Sequence, residues 1–256
     1  MRAETAKPLR LASYNIRAGL GTDLKRDPAR VLRAIHALQA DLVVLQEADH
    51  RLGARPSALP LDQIEALTGL HPLPVAENGE SLGWHGIAML AKPSFPVLGV
   101  HRFDLPGLEP RGAVTVDVEA PDGPLRIVGV HLGLLRRSRR AQIDAIKEAV
   151  AALPSRPTIL IGDFNEWSGK AGLGRVTRGY TLLTPEKTFP ARRPLLPLDR
   201  IAHTGDLDIA LLPPSEAAHP HPSDHRPILA TVARKISAPG AADMKALQIS
   251  PSDRPS

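Results

Sequence analysis

Residues 157–167 read P-T-I-L-I-G-D-F-N-E-W. Thr158 to Ile161 form a short apolar run rich in β-branched residues, the pattern of a buried strand. Gly162 is expected to end it, and Asp163 and Asn165 follow at once. A carboxylate and a carboxamide this close together at the end of a core strand are held rigidly and face the same way. Such a pair can bind a metal, orient a water or hold a phosphate oxygen. An Asx-rich turn after a strand has the same composition, so the companions of this stretch decide.

Working outward, Ser138 is expected to cap the helix before this strand, with Ile143, Ile146, Val150 and Leu153 on its buried face. Further upstream, Leu9–Tyr14, Asp41–Gln46, Gly86–Ala91, Val97–Phe103, Ala113–Val118 and Leu125–His131 read as strands. Asp27-Pro28 starts a helix, with Asp as N-cap and Pro in the first turn. Leu61–Leu67 form another, closed by Gly69. Downstream, Gly169–Gly179 is Gly-rich with room for a weak helix, and Leu207–Leu212 and Pro227–Val232 are strands. About ten strands and three or four helices make one domain, residues 9–236, of packed sheets covered by helices. Residues 1–8 are expected to be a disordered lead-in and 237–256 a disordered tail.

The 256 residues are 43% hydrophobic and 23% charged, ordinary for a globular protein, but only 3% aromatic. The formal charge of +5 is local: four arginines, Arg136, Arg137, Arg139 and Arg140, give +4 in one segment, the N-terminal stretch gives +2, and everything else sums to −1. A broad nucleic-acid-binding coat is therefore absent, while an anionic partner near the arginines is not. There are no cysteines, which excludes disulfides and thiolate chemistry. No signal peptide or membrane-length apolar run is visible, so a cytoplasmic protein is expected.

Polar residues recur at strand ends: Asn15, Glu47, His131, Asp163 with Asn165, and Asp224 with His225. One is usually a cap, but several imply a site at one edge of the sheets. The ordered set Y-N-I (14–16), Q-E (46–47), H-L-G (131–133), G-D-F-N (162–165), L-D-R-I (198–201) and S-D-H-R-P (223–227) resembles the endonuclease/exonuclease/phosphatase superfamily, DNase I-like, in a small bacterial form. The resemblance spans residues 9–232. It implies an α/β four-layered sandwich, two mostly antiparallel sheets face to face with helices outside. It also implies Mg²⁺- or Mn²⁺-dependent hydrolysis of a phosphate ester by an activated water.

Carried over residue by residue, the resemblance makes Glu47 and Asn15 metal ligands, with Asp224 on the metal side. His225 is the general base, oriented by Asp199. Asp163 handles the water, Asn165 donates to a phosphate oxygen, and His131 contacts the phosphate or the leaving group. Arg111 is expected to support the site, and Arg136, Arg137, Arg139, Arg140 and Trp167 to meet substrate or a membrane surface. Two positions depart from the family. No acid stands near His85 to pair with His131, and Gly129 replaces the Asn of the common N-T-H-L. The substrate stays open among nucleic acid, phospholipid and inositol phosphate, the expected state is a monomer, and a binding module without catalysis is the remaining alternative.

Overall fold

The computed structural model describes residues 7–168, 173–213 and 219–235. The expected lead-in, save Lys7 and Pro8, and the expected tail lie outside them. In chain order the elements are β1 (Leu9–Asn15), α1 (Pro28–Ala37), β2 (Leu42–Gln46), α2 (Leu61–Thr68), β3 (His71–Pro72), β4 (Ala88–Ala91) and β5 (Val97–Leu105). Then come β6 (Arg111–Ala120), β7 (Gly123–His131), α3 (Arg136–Ala151), β8 (Thr158–Asp163), β9 (Thr181–Leu183), β10 (Asp199–His203), β11 (Leu207–Leu212) and β12 (Ile228–Arg234).

They form two six-stranded sheets, ordered β11-β12-β1-β2-β4-β3 and β5-β6-β7-β8-β10-β9. Each is antiparallel except at one pair, β1 with β2 and β7 with β8. A parallel pair needs a crossover, and α1 and α3 provide the two. The strands alternate to serve two faces. Leu11, Val44 and Met89 of one sheet meet Val116, Ile127 and Ile161 of the other in the central core. The opposite faces pack Val43 and Leu45 against Val31, Leu32 and Ile35 of α1, and Val128 and Leu160 against Ile143 and Ile146 of α3. The result is the expected four-layered sandwich.

Asp27 caps α1, its Oδ1 accepting from Arg30 N–H at 2.9 Å, and Gly69 closes α2 in the left-handed region at φ 71°. Three local expectations are corrected and one element is added. Gly162 lies inside β8, which runs on to Asp163. It is a glycine because a Cβ there would come within 2.0 Å of Val130 O on the neighbouring strand. Ser138 lies within α3, whose N-cap is Leu135 and makes no side-chain capping bond. Residues 174–179 form turns, so the described part of the Gly-rich stretch holds no helix. The added element is a further strand, β10 (Asp199–His203), which takes in D-R-I and is not among those expected from the sequence.

Gly129 has a packing reason as well. A Cβ there would sit 2.8 Å from Ile87 Cγ2 and 3.0 Å from Val44 Cγ1, in the seam between the sheets. An Asn at this position has no room here.

Candidate active site

The topology gathers the polar residues. Asn15 and His131 end the two leading parallel strands, Asp163 ends β8, and Glu47 follows β2. The antiparallel partners start at the same end. Asp199 of β10 pairs across from Asp163, and β12 enters beside β1, which brings Ser223, Asp224 and His225 to Asn15. The hydroxyl of Ser223 locks this junction by donating to Asn15 O at 2.7 Å.

Asp163 is the centre. Its Oδ2 lies 3.1 Å from Asn15 Nδ2, 3.5 Å from His131 Nε2 and 3.8 Å from His225 Nε2, while Oδ1 accepts from Asn165 N–H at 2.9 Å. Asn165 Nδ2 donates to Leu132 O at 2.8 Å. Asp163, Asn165, His131, Asp199 and His225 are all buried. Glu47 and Asn165 have positive φ, 52° and 49°, as does His85 at 49°. Backbone held in this region by non-glycine residues clusters where a structure dictates side-chain aim.

Asp199 Oδ2 lies 2.9 Å from His225 Nδ1 and accepts from Thr188 Oγ1 at 2.5 Å. Its Oδ1 is buried with no partner among the described residues. Arg200 does not pair with Asp199. It donates instead to Thr184 Oγ1 and to the carbonyls of Glu166 and Ser168. Burial opposes a charge on His225, but Asp199, Asp163 and Asp224 outweigh it and push its pKa up to about 9. Burial and the nearby Asp199 raise Asp163 to about 7, against the pull of His225 and the bonds from Asn165 and Asn15.

His131 has a partner that sequence reasoning did not assign. Arg111 NH1 lies 2.9 Å from Nδ1, and Glu109 holds the guanidinium with bonds of 3.1 and 2.8 Å. An arginine only donates, so Nδ1 accepts and the ring proton sits on Nε2, facing Asp163. Burial and then Arg111 keep His131 well below the usual imidazole range, hence neutral. His85 lies apart from this pair, between Arg55 (3.2 Å) and Asp104 (3.0 Å).

Glu47, Glu109, Arg111 and His131 open on a cleft of about 570 Å³. Arg17, Arg26, Arg51 and Arg55 complete its basic wall, and among the described residues no Phe, Tyr or Trp lines it. Glu47 and Asp224 are each met by one arginine, Arg51 at 3.5 Å and Arg17 at 3.2 Å. The ligand atoms of Asp163, Asp199 and His225 lie within 4.8 Å of one another, a grouping able to hold a metal ion.

The arginine segment is not uniform. Arg136, Arg137 and Arg140 are exposed, and Trp167 is outside the cleft lining. Arg139 is buried, and its guanidinium is consumed by Glu166 Oε2 (2.8 Å), Gly133 O (3.3 Å) and Leu134 O (2.5 Å). It is an internal brace, not a free substrate-facing charge. Glu109, Glu166 and Thr188 were missed because acids and hydroxyls in loops have no periodicity to mark them.

Paired acids and histidines at the parallel ends of two stacked sheets define a hydrolase fold of the nuclease and phosphatase class. The sequence pattern of the endonuclease/exonuclease/phosphatase family matches residues 12–225, and the chain belongs to that family. The uncharacterized protein YbhP of Escherichia coli K12 is 33% identical over 164 residues, 59% of this chain and 63% of that protein, so the match spans under two thirds of the relative. Among solved structures, a functionally unknown Enterococcus faecalis protein aligns with TM-score 0.70 and 22% identity, over 89% of this chain and 100% of that one. The human Nocturnin catalytic domain with bound sulfate gives 0.65 and 19%, over 89% and 95%. A Bacteroides thetaiotaomicron mannosyl-6-phosphatase gives 0.67 and 18%, over 88% and 99%. At these identities the likeness is one of fold.

Proposed function

We propose that the chain is a Mg²⁺- or Mn²⁺-dependent hydrolase that cleaves a phosphate ester by in-line attack of water. The observation that carries this is Asp163 Oδ2, ringed by N–H groups of Asn15 and His131 and faced by His225. A carboxylate so placed accepts a proton from water while its neighbours donate to an anionic centre. A hard cation fits the residues present. The donors are carboxylate, carboxamide and imidazole, and the buried Asp199 Oδ1 has an open lone pair. Glu47, Asn15 and Asp224 would hold the ion at the cleft, with Asp163, Asp199 and His225 as a second grouping. When bound, it supplies Lewis acidity that offsets charge on the phosphoryl oxygens.

The chain's own groups do the rest. The proton of the attacking water passes to Asp163, while His225, held protonated by Asp199 at Nδ1, faces that carboxylate through Nε2. His131, kept neutral with its proton on Nε2, donates to the phosphate, as does Asn165. Arg111 fixes the His131 tautomer. The new P–O bond forms as the ester P–O bond breaks, and the departing oxygen takes a proton from solvent water to leave as the alcohol.

Between nucleic acid and a phospholipid or inositol phosphate, the cleft favours the latter. It offers arginines for phosphate and, among the described residues, no Phe, Tyr or Trp to stack a base. A binding module without catalysis has no use for so complete a hydrogen-bonded set. The test is a Mg²⁺/Mn²⁺ activity screen across plasmid DNA, RNA, sphingomyelin, phosphoinositides and inositol phosphates, with His225→Ala as control. Turnover that survives His225→Ala rejects the assignment.

A further inference from the structure

Large apolar side chains stand in solvent beside the cleft. Leu108 is 85% exposed, Leu134 63%, Leu135 52% and Trp167 67%. Their three loops are tied together. Leu134 N–H donates to Glu109 Oε1 at 3.0 Å, and Arg139 joins Gly133 and Leu134 to Glu166, the neighbour of Trp167. Glu109 and Pro110 line the cleft itself, so this patch borders its mouth. Leu52, which also lines the cleft, is 85% exposed. Scattered exposed leucines need no explanation, but apolar groups gathered around one opening do.

The charges agree. Arg136, Arg137 and Arg140 are exposed, and among the described residues none has a carboxylate within salt-bridge distance. The acids nearby are already neutralised, Glu109 by Arg111 and Glu166 by Arg139. The start of α3 breaks two local rules at once. A leucine stands where a capping side chain belongs, and arginines fill four of the first five helical positions with no acid in the first turn. Both choices are unfavourable in water. Both become favourable where leucines are immersed and cations and free N–H groups meet phosphate.

We propose that this face, with Leu134, Leu135 and Trp167 as anchors and Arg136, Arg137 and Arg140 as the basic rim, docks on an anionic phospholipid surface and sets the cleft mouth against the headgroups. Nucleic acid would use the arginines but leave the leucines in water. The docking does not rest on the catalytic reading, because binding is measured without turnover.

The full chain is sedimented in EDTA with vesicles of phosphatidylcholine alone, or mixed with phosphatidylglycerol. Binding to the mixed vesicles is expected, weakening as salt is raised. Trp emission should shift to the blue, and Trp167→Phe should abolish the shift while Trp84 remains. Arg136→Ser with Arg137→Ser should weaken binding roughly 25-fold, at about fivefold per arginine. Leu134→Ser with Leu135→Ser should weaken it at least about tenfold. Both double variants should melt no lower than the parent, since a serine at the N-cap and fewer cations in the first turn favour the helix. Equal binding to neutral and anionic vesicles, or full binding by the leucine variant, overturns the proposal. Duplex DNA binding that depends on the arginines alone would assign the face to nucleic acid instead.

Discussion

Replacing Arg139 by Met separates a brace from a substrate-binding arginine. The methionine keeps most of the apolar stem but removes the guanidinium. Glu166 then keeps its carboxylate buried with Ser168 N–H, at 3.1 Å, as its remaining hydrogen-bond partner among the described residues. Gly133 O and Leu134 O lose their donor as well. Breaking a buried ion pair from one side costs about 3–5 kcal/mol. The retained Ser168 bond argues for the lower end, about 3 kcal/mol, or roughly 6–12 °C in Tm for a chain of this size. Glu166→Gln in the same background should recover about 1 kcal/mol by removing the stranded charge. The pH dependence has a definite sign. Burial raises the Glu166 pKa, but the bond from Arg139 and the Ser168 N–H outweigh it and leave a net depression. The stabilisation is therefore present above the unfolded glutamate pKa near 4.3 and is lost as pH falls through the lower folded value. The gap in Tm between parent and Arg139→Met should be full at pH 7 and shrink below about pH 4. Thermal and urea melts across pH give the answer. A variant that melts within about 1 °C of the parent, yet loses substrate affinity, would refute the brace and restore Arg139 to the binding surface.

Three further outcomes follow from the geometry. Arg111→Met should free His131 Nδ1 to take the proton, visible as a change of imidazole nitrogen shifts by NMR, and should lower kcat/KM by about 10–100-fold. Gly129→Asn should cost at least about 1–3 kcal/mol in urea melts, since its Cβ would lie 2.8 Å from Ile87 Cγ2. Glu47→Ala should weaken activation by Mn²⁺, read as a higher metal concentration for half-maximal rate, and an unchanged titration curve would remove Glu47 from the metal site.

Much of this architecture is legible in the sequence because burial on two faces writes long apolar runs. Thr158–Ile161 and Leu42–Gln46 announce their strands, and the 3- and 4-residue spacing announces α3. β10 is not legible, since Asp199-Arg200 interrupt its apolar pattern with two buried charges whose partners are far along the chain. The site residues are legible as an ordered set because each sits at a strand end. Their support is not. Glu109 beneath Arg111, Thr188 on Asp199 and Glu166 on Arg139 are loop residues chosen by three-dimensional contact. The same holds for the arginine segment, where adjacent identical residues divide into a buried brace and an exposed rim according to helical phase.

The central claim is that Asp163 and its ring of donors hydrolyse a phosphate ester with a divalent ion. It is tested most directly by nitrophenol release from bis(p-nitrophenyl) phosphate, with Mg²⁺ or Mn²⁺ and with EDTA, for the parent and Asp163→Asn. The account predicts metal-dependent release that EDTA stops and that Asp163→Asn lowers by about 10³-fold or more. Thermal melts at pH 8 establish that the variant is folded, since it removes a buried carboxylate whose ionisation is disfavoured but turns an NH2 toward groups that donate to Asp163. Release by a folded Asp163→Asn at the parent rate would contradict it.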